Sequence, residues 1–372
     1  MIAVTASTIE DFTAAEWDRL FPGELEGWAY HRASERAALV GLEWLYVGVR
    51  DGGQLRAAAV AFITDYPLAT TLDGSLRRMV GTLARAAPGL LRPRMLALGS
   101  PVTETCPLGF AADADGEEQA ACLAAILAAC ERQAQNRRVQ LLAIKDLPDD
   151  RAATLQTVLA ACGLRQQPGQ PGARLALPFR DLDGYFASLG RATRRDLRRK
   201  WRSREHLRIQ WRSDLAGIDE RVAQLYRQTL ARAPMRLEEL NPAWFANVLA
   251  ALPGRAACVC YWHGADLVAF NLVLHDGRRL LDKYIGMDYA RARELNLYYV
   301  SWLENVRHAI EHGLHSCDGG QGLGTEKLRL GCVMQGNGLW YRHRNRLLDR
   351  GMALAERALG LHDAPAVQER CA

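Results

Sequence analysis

The sequence predicts an α/β protein made of two similar units, each with a mixed β-sheet flanked by helices. Three observations indicate this fold class. The order of two hairpin strands, a further strand, a helix and a last strand occurs twice along the chain. The 372 residues are more than one hydrophobic core usually organises. A stretch interrupted by proline and glycine, residues 166–172, separates the two occurrences and is typical of a linker.

The first predicted unit comprises residues 1–165. Its hairpin consists of the apolar runs 44–49 and 55–63, and the turn Asp51-Gly-Gly between them is a hairpin signal. The periodicity of apolar residues then predicts four more elements. These are a strand at 95–98, a helix at 117–137, a strand at 139–144 and a helix at 151–162.

The second predicted unit comprises residues 173–345 and repeats this order. Its hairpin is formed by the strands 257–262 and 267–275 around a His-Gly-Ala-Asp turn. A strand at 279–285, a long amphipathic helix and a short strand at 314–318 follow. The elements expected before the hairpin are a strand at 174–178 and helices at 181–189, 214–232 and 242–252, with an arginine-rich stretch from 191. Residues 346–372 are predicted as a C-terminal helix and a frayed tail.

The composition and the sequence patterns argue against several classes of protein. The net charge of +5 is too small for a protein that coats DNA. The N-terminus has neither the basic nor the apolar region of a signal peptide, and no stretch is apolar and long enough to span a membrane. The nine cysteines are scattered without zinc-ligand spacing, and the histidines show no metal spacing, so no metal is expected. The sequence therefore predicts a cytoplasmic protein with buried thiols.

The segment from Asp318 to Arg329 carries the densest functional signal. Four of the six residues 319–324 are glycines, which allow backbone N–H groups to approach an anion. Lys327 and Arg329 supply positive charge, and Lys327 is predicted to face this anion. Asp318 or Glu326 is a candidate for accepting the proton of an amine, and Gln321 is a candidate contact to the substrate. The opposing interpretation is a glycine turn beside a solvated Glu326–Lys327 pair.

Two other groups of residues are candidate binding residues. Asp282, Lys283 and Tyr284 interrupt an otherwise apolar strand, where a charge is costly unless it is paired or faces a cleft. A surface edge is the other interpretation. In residues 191–204, eight of fourteen are Arg or Lys. On a helix, an arginine face there suits a phosphate-rich carrier, although a solvated basic face gives the same pattern. The candidates on it are Arg194, Arg195 and Arg198.

These segments resemble the FemAB-like branch of the GNAT acyltransferases. The resemblance is carried by SLGRATRRDLRRK from Ser188, by EHGLHSCDGGQG from Glu311 and by TEKLRLG from Thr325. It covers the second half of the chain in sequence and the first half in element order only. The usual GNAT phosphate loop, Arg/Gln-x-x-Gly-x-Gly/Ala, is missing after residues 282–288, where Ala290-Arg-Ala-Arg-Glu-Leu-Asn stands instead.

The resemblance implies two tandem GNAT-like units and an N-acyltransferase that joins an activated acyl or aminoacyl group to an amine. No tightly bound cofactor is implied. The donor, a co-substrate, is either an aminoacyl-tRNA or an acyl-CoA or acyl carrier protein. The alternative is a non-catalytic tRNA-binding or adaptor protein that keeps the fold. The oligomeric state, the acceptor and a role of the first unit in binding are not determined by the sequence.

Overall fold

The structure, a computed structural model, describes residues 1–66, 92–233 and 237–358. These residues form two compact units. The first contains residues 1–66, 92–170, 237–238 and 336–358, and the second contains 171–233 and 239–335.

Fifteen strands are found in the described residues. In chain order they are β1 (Ile2–Ala6), β2 (Glu43–Asp51), β3 (Gln54–Asp65), β4 (Arg94–Leu98), β5 (Leu108–Phe110), β6 (Leu141–Pro148), β7 (Arg165–Pro168), β8 (Gly172–Ala176), β9 (Arg208–Arg212), β10 (Ala256–His263), β11 (Asp266–His275), β12 (Arg279–Met287), β13 (Ser316–Asp318), β14 (Val333–Gln335) and β15 (Asn337–His343).

Most α-helices of the described residues lie in predicted segments, but α1 and α10 were not predicted. They are α1 (Ala14–Asp18), α2 (Trp28–Arg36), α3 (Gly116–Asn136), α4 (Asp149–Ala161), α5 (Leu182–Ser188), α6 (Arg191–Trp201), α7 (Asp219–Leu230), α8 (Pro242–Ala251), α9 (Leu297–Glu311), α10 (Gly324–Arg329) and α11 (Arg346–Ala358). None of them combines the length and the apolarity needed to cross a bilayer.

The two sheets repeat one pairing pattern. In the first unit β1, β2, β3 and β4 pair antiparallel in that order, and β4 pairs parallel with β6. In the second unit β9, β10, β11 and β12 do the same, and β12 pairs parallel with β13. The predicted fold class, two units with mixed sheets flanked by helices, is therefore confirmed.

The far edge of each sheet is built from distant parts of the chain. β15 lies between β6 and β7 in the first sheet, although it is the last strand in sequence. In the second sheet β8 lies between β13 and β14. Residues 336–343 thus belong with the first unit and not with 173–345, because strand pairing is set by edge complementarity rather than by chain order.

The local differences from the predicted elements have simple causes. The predicted linker 166–172 is occupied by most of β7, a loop and the first residue of β8, and Pro168 and Gly169 lie where β7 ends. The sequence also predicts a helix at 34–40, before the first hairpin, whereas α2 spans Trp28–Arg36, because it begins after its N-cap Gly27 and Val40 already lies in the loop after it. Of the predicted tail, residues 346–358 are helix α11, and residues 359–372 lie outside the described residues.

The core of the second unit fixes β12 against helices. Trp302, Leu303 and Val306 of α9 are buried. Gly286 of β12 faces α7, and a Cβ placed there would lie 2.7 Å from the backbone nitrogen of Tyr226 and 2.3 Å from the Phe270 ring. Only glycine permits this close approach. β12, the strand with the unusual polar residues, is thus held tightly in place.

Candidate functional site

The site begins where β12 and β13 separate. The two parallel strands pair at only three positions, from Arg279 with Ser316 to Leu281 with Asp318. β13 ends there, whereas β12 continues to Met287. The backbone of residues 282–287 therefore has no strand beside it on this edge within the described part of the chain. Ligands of open α/β sheets bind where neighbouring strands separate in this way, at their carboxyl ends.

A β-bulge lies at the same point of β12. Leu272 of β11 pairs with Tyr284 and Val273 pairs with Asp282, so Lys283 is an extra residue between them. Bulges redirect side chains and are common beside active sites. In the first unit β3 pairs with β4 without interruption, and β4 pairs with β6 to its end at Leu98. The bulge and the early separation are therefore features of the second sheet that the equivalent strands of the first sheet do not have.

The polar residues of this bulge are held by neighbours. Asn271 is fully buried, and its Nδ2 donates a hydrogen bond of 2.8 Å to Oδ1 of Asp282. Lys283 is buried, and its ammonium lies 5.4 Å from the centre of the Tyr284 ring. Tyr284 makes edge contacts with the rings of α7 and α8. Asp282 is half-buried and oriented, so the interpretation of these residues as a solvated edge is wrong.

The glycine-rich segment forms a tight loop that closes on Lys327. Gly320, Gly322 and Leu323 have φ values of 67°, 77° and 50°, a region that favours glycine. Lys327 is 5% exposed, and its Nζ donates to the carbonyl oxygens of Gly320 at 3.1 Å and Gln321 at 2.7 Å. This contact corrects the prediction that the ammonium faces an anion, because these bonds bind it to the loop itself. The solvated-pair interpretation is also wrong, since Lys327 is buried.

Asp318 is paired with an arginine that the sequence did not single out. Nε and Nη2 of Arg174 on β8 donate to its two carboxylate oxygens at 2.7 and 2.8 Å. Arg279 lies 3.8 Å from the same carboxylate. A bidentate pair uses the acceptor positions that a proton acceptor needs. The contacts of Asp318 thus indicate a structural link between β8 and β13, while its predicted catalytic role stays a prediction.

Glu326 and Arg329 belong to an ion-pair network that reaches α6. Arg329 donates to Glu326 at 3.1 Å and to Asp196 at 2.8 Å. Asp196 also pairs with Arg199 and Lys200, and the Lys200 ammonium lies 3.2 Å from the centre of the Tyr299 ring on α9. Burial acts to raise the pKa of Asp196, but the hydrogen bonds from Lys200, Arg199 and Arg329 outweigh it and hold that pKa well below its usual range.

This network predicts an acid-dependent loss of stability. Because folding lowers the pKa of Asp196, its carboxylate stabilises the fold above the unfolded value of about 4. That contribution is lost as the pH falls through the lower folded value. We expect Asp196→Asn to be less stable than the wild type at pH 7, and the difference to shrink below about pH 4. Urea unfolding of both proteins across this range measures it, and a difference that is constant with pH would contradict the prediction.

The arginine-rich stretch is a helix, α6, as predicted, but its side chains differ in what they contact. Arg198 pairs with Asp183 at 2.7 Å, and Arg194 donates to the Ala187 carbonyl at 3.4 Å. Arg195 is exposed and makes no ion pair with any described residue. The same holds for Arg191 and Arg202, which were not among the candidates. These three guanidinium groups are therefore not held by an ion pair within the described residues, while the predicted binding role of Arg194 and Arg198 stays a prediction.

The structure therefore divides the predicted residues into separate groups. One is the bulge of β12 with Asp282, Lys283 and Tyr284. Another is the loop 319–324 with Gln321 and Lys327, which directly follows β13. Sequence reasoning missed Asn271 and Arg174. For Asn271 a signal was available, since it is an amide within the apolar strand β11. Among the described residues, no group of His, Cys, Asp and Glu is arranged to hold a metal ion.

Comparison with known proteins relates part of the chain to one enzyme family. Residues 191–327 match the family model of the GNAT acetyltransferase domain, which spans the chain from α6 to Lys327. No curated protein matches the chain in sequence.

The fold is similar to that of solved structures over nearly the whole chain. FemX is 14% identical with a TM-score of 0.59, over 94% of this chain and 98% of FemX. A tandem GNAT protein from the clavulanic acid biosynthesis pathway is 14% identical with a TM-score of 0.54, over 92% and 98%. The C-terminal domain of a putative lysylphosphatidylglycerol synthetase from Agrobacterium fabrum is 12% identical with a TM-score of 0.56, over 96% and 99%.

Proposed function

We propose that this chain, which has the fold of the FemAB-like branch of the GNAT superfamily, is an N-acyltransferase that transfers an activated acyl or aminoacyl group to an amine. The reaction site is placed in the second unit, beside β12. The observation that carries this proposal is the free edge of β12 beyond its bulge at Lys283. It lies within the segment that matches the GNAT domain.

The free edge offers a place for the donor. An extended chain with amide groups binds to an unpaired strand edge through the backbone, as an added strand does. β12 leads through residues 288–296 into α9, so the N-terminus of this long helix follows the carboxyl end of the strand. Its N–H groups and dipole favour negative charge. A donor carbonyl placed there is polarised, and the oxyanion that forms on it is stabilised.

Asp282 is proposed as the proton acceptor. The amine nitrogen attacks the carbonyl carbon, the C–N bond forms, and the bond from that carbon to the sulfur or oxygen of the carrier breaks. The proton released by the amine passes to the Asp282 carboxylate, and the carrier leaves as a thiol or hydroxyl when it takes up this proton, which restores the carboxylate. Asn271 supports this role because its amide fixes the carboxylate by a 2.8 Å hydrogen bond.

The exposed arginines Arg191 and Arg195 of α6 and Arg202, which directly follows it, are proposed to contact the phosphates of the donor carrier. For a nucleic acid, the logarithm of the affinity falls linearly with the logarithm of the salt concentration, and each phosphate contact makes this slope steeper by about 0.7 to 0.9. We expect the combined variant Arg191→Glu, Arg195→Glu and Arg202→Glu to bind a charged tRNA more weakly and to reduce this slope by roughly two to three. Fluorescence anisotropy at several salt concentrations measures both values.

The control for this prediction is Arg180→Glu, which reverses an exposed arginine outside α6. It is expected to leave the slope close to that of the wild type. An unchanged slope in the triple variant would remove α6 from the carrier site. A reduced slope together with reduced affinity in both proteins would indicate a general charge effect instead.

The test of the function itself is a transfer assay with the full chain. The protein is incubated with an aminoacyl-tRNA, an acyl-CoA or an acylated carrier protein, each with a mixture of amino acid and peptide amines. Mass spectrometry then detects a new amide. Amide formation with one donor class supports the proposal and identifies the donor. Tight tRNA binding without transfer from any donor would favour the non-catalytic alternative.

A further inference from the structure

The C-terminal helix α11 (Arg346–Ala358) packs on the first unit with its acidic face. Asp349 and Glu356 are two turns apart and therefore lie on the same side of the helix. Arg165 of β7 binds both, with Nη1 2.7 Å from Asp349 and Nε 3.2 Å from Glu356. Its guanidinium also lies over the Tyr341 ring at 5.2 Å. Asp349 accepts a further hydrogen bond from the backbone of His343 at 2.7 Å.

The opposite face of α11 is apolar and basic. Leu347, Leu348 and Leu354 are 76%, 48% and 66% exposed, which is unusual for leucine on a packed helix. Beside them lies a stripe of arginines that spans only about 40° of the helix circumference. Arg346, Arg350 and Arg357 form this stripe, are exposed and pair with no described residue.

This arrangement is the reverse of an ordinary amphipathic surface helix, which buries its leucines and exposes its charges. Both acids of α11 are turned inward, so the outward face holds only apolar and positive side chains among those described. A second copy of the chain would offer no carboxylate from this face to pair with the arginines, and like charges brought together are repelled. A partner with a negatively charged surface and an apolar layer beneath it complements both the arginines and the leucines.

We propose that the outward face of α11 binds the surface of a membrane that contains anionic lipids. The leucines enter the boundary between headgroups and acyl chains, and the arginines contact the lipid phosphates, as in interfacial helices. The helix lies on the membrane without crossing it. The inference does not depend on acyl transfer, because α11 belongs to the first unit and the proposed reaction site lies in the second.

The test is co-sedimentation of the full chain with vesicles of phosphatidylcholine alone or mixed with phosphatidylglycerol. The wild type is expected to sediment with the mixed vesicles and not with phosphatidylcholine. The double variants Leu347→Ser with Leu354→Ser, and Arg350→Glu with Arg357→Glu, should each reduce binding about tenfold or more. Circular dichroism confirms that they fold, since the changed side chains are exposed.

Matched controls lie elsewhere on the same unit. Val40→Ser changes a side chain that is 96% exposed, and Arg132→Glu reverses an exposed arginine on α3. Both are expected to bind the mixed vesicles like the wild type. Equal binding by the two double variants and the wild type overturns the proposal. The proposal is also overturned if the wild type sediments with neither kind of vesicle. In that case, loss of self-association or of a protein partner in the leucine variant would assign the face to a protein contact.

Discussion

Asp282→Asn is expected to lower the rate of acyl transfer about a hundredfold or more, which is the usual effect of removing a general base. The change replaces one carboxylate oxygen by an amide nitrogen and keeps an oxygen that accepts the 2.8 Å hydrogen bond from Asn271. The shape of the bulge is thus preserved, while the group that takes the proton from the amine is lost. The transfer assay with the donor found active measures the rate, and thermal unfolding measures the fold.

The matched control for this prediction is Asp183→Asn. Asp183 has a side chain that is 81% exposed and pairs with Arg198 at the surface of the second unit. Its removal should leave the rate within a few-fold of the wild type. A fully active Asp282→Asn protein would show that Asp282 does not accept the proton. A variant that is folded, inactive and unable to bind the donor would assign Asp282 to binding rather than to proton transfer.

Lys327→Met is expected to lower both stability and activity. The ammonium of Lys327 holds the carbonyl oxygens of Gly320 and Gln321 inside the second unit. A buried polar group that loses its hydrogen-bond partner costs about 1–3 kcal/mol. The loop between β13 and α10 also contains three residues with positive φ, whose conformation this lysine helps to maintain. We expect the melting temperature to fall by roughly 5–10 °C and the transfer rate to fall with it.

Glu326→Gln separates this structural role from a catalytic one. Glu326 is adjacent in sequence and pairs with Arg329 at 3.1 Å, and the amide keeps its shape. We expect only a small change in melting temperature and an almost unchanged rate. An inactive but stable Glu326→Gln protein would restore Glu326 as the proton acceptor. A Lys327→Met protein with wild-type stability and no activity would instead support direct contact of the ammonium with the reacting group.

The repeated unit is readable from the sequence. Both hairpins are marked by local signals, an Asp-Gly turn in the first and a Gly turn in the second, each between apolar runs. The helix α6 and the loop after Asp318 are marked by composition alone. Local propensity and periodicity suffice there because each element is defined by residues close together in the chain.

The partners of the charged side chains were decided by the tertiary structure. Asp318 is bound by Arg174, 144 residues away in sequence, and Arg329 by Asp196, 133 residues away. The sequence places Lys327 next to a glycine-rich segment. It did not indicate whether Lys327 faces an anion or a carbonyl oxygen, because either satisfies an ammonium group.

The bulge at Lys283 and the position of β15 were also beyond the sequence. A bulge is a property of the register between two strands, and the residues of β12 alone do not specify how β11 is aligned with them. β15 pairs with β6 on one side and with β7 on the other. These backbone hydrogen bonds are open to every residue type, so the side-chain pattern does not predict them. Side-chain pattern fixes which residues form strands and helices; the pairing of edges that builds the site is fixed only when the whole chain has folded.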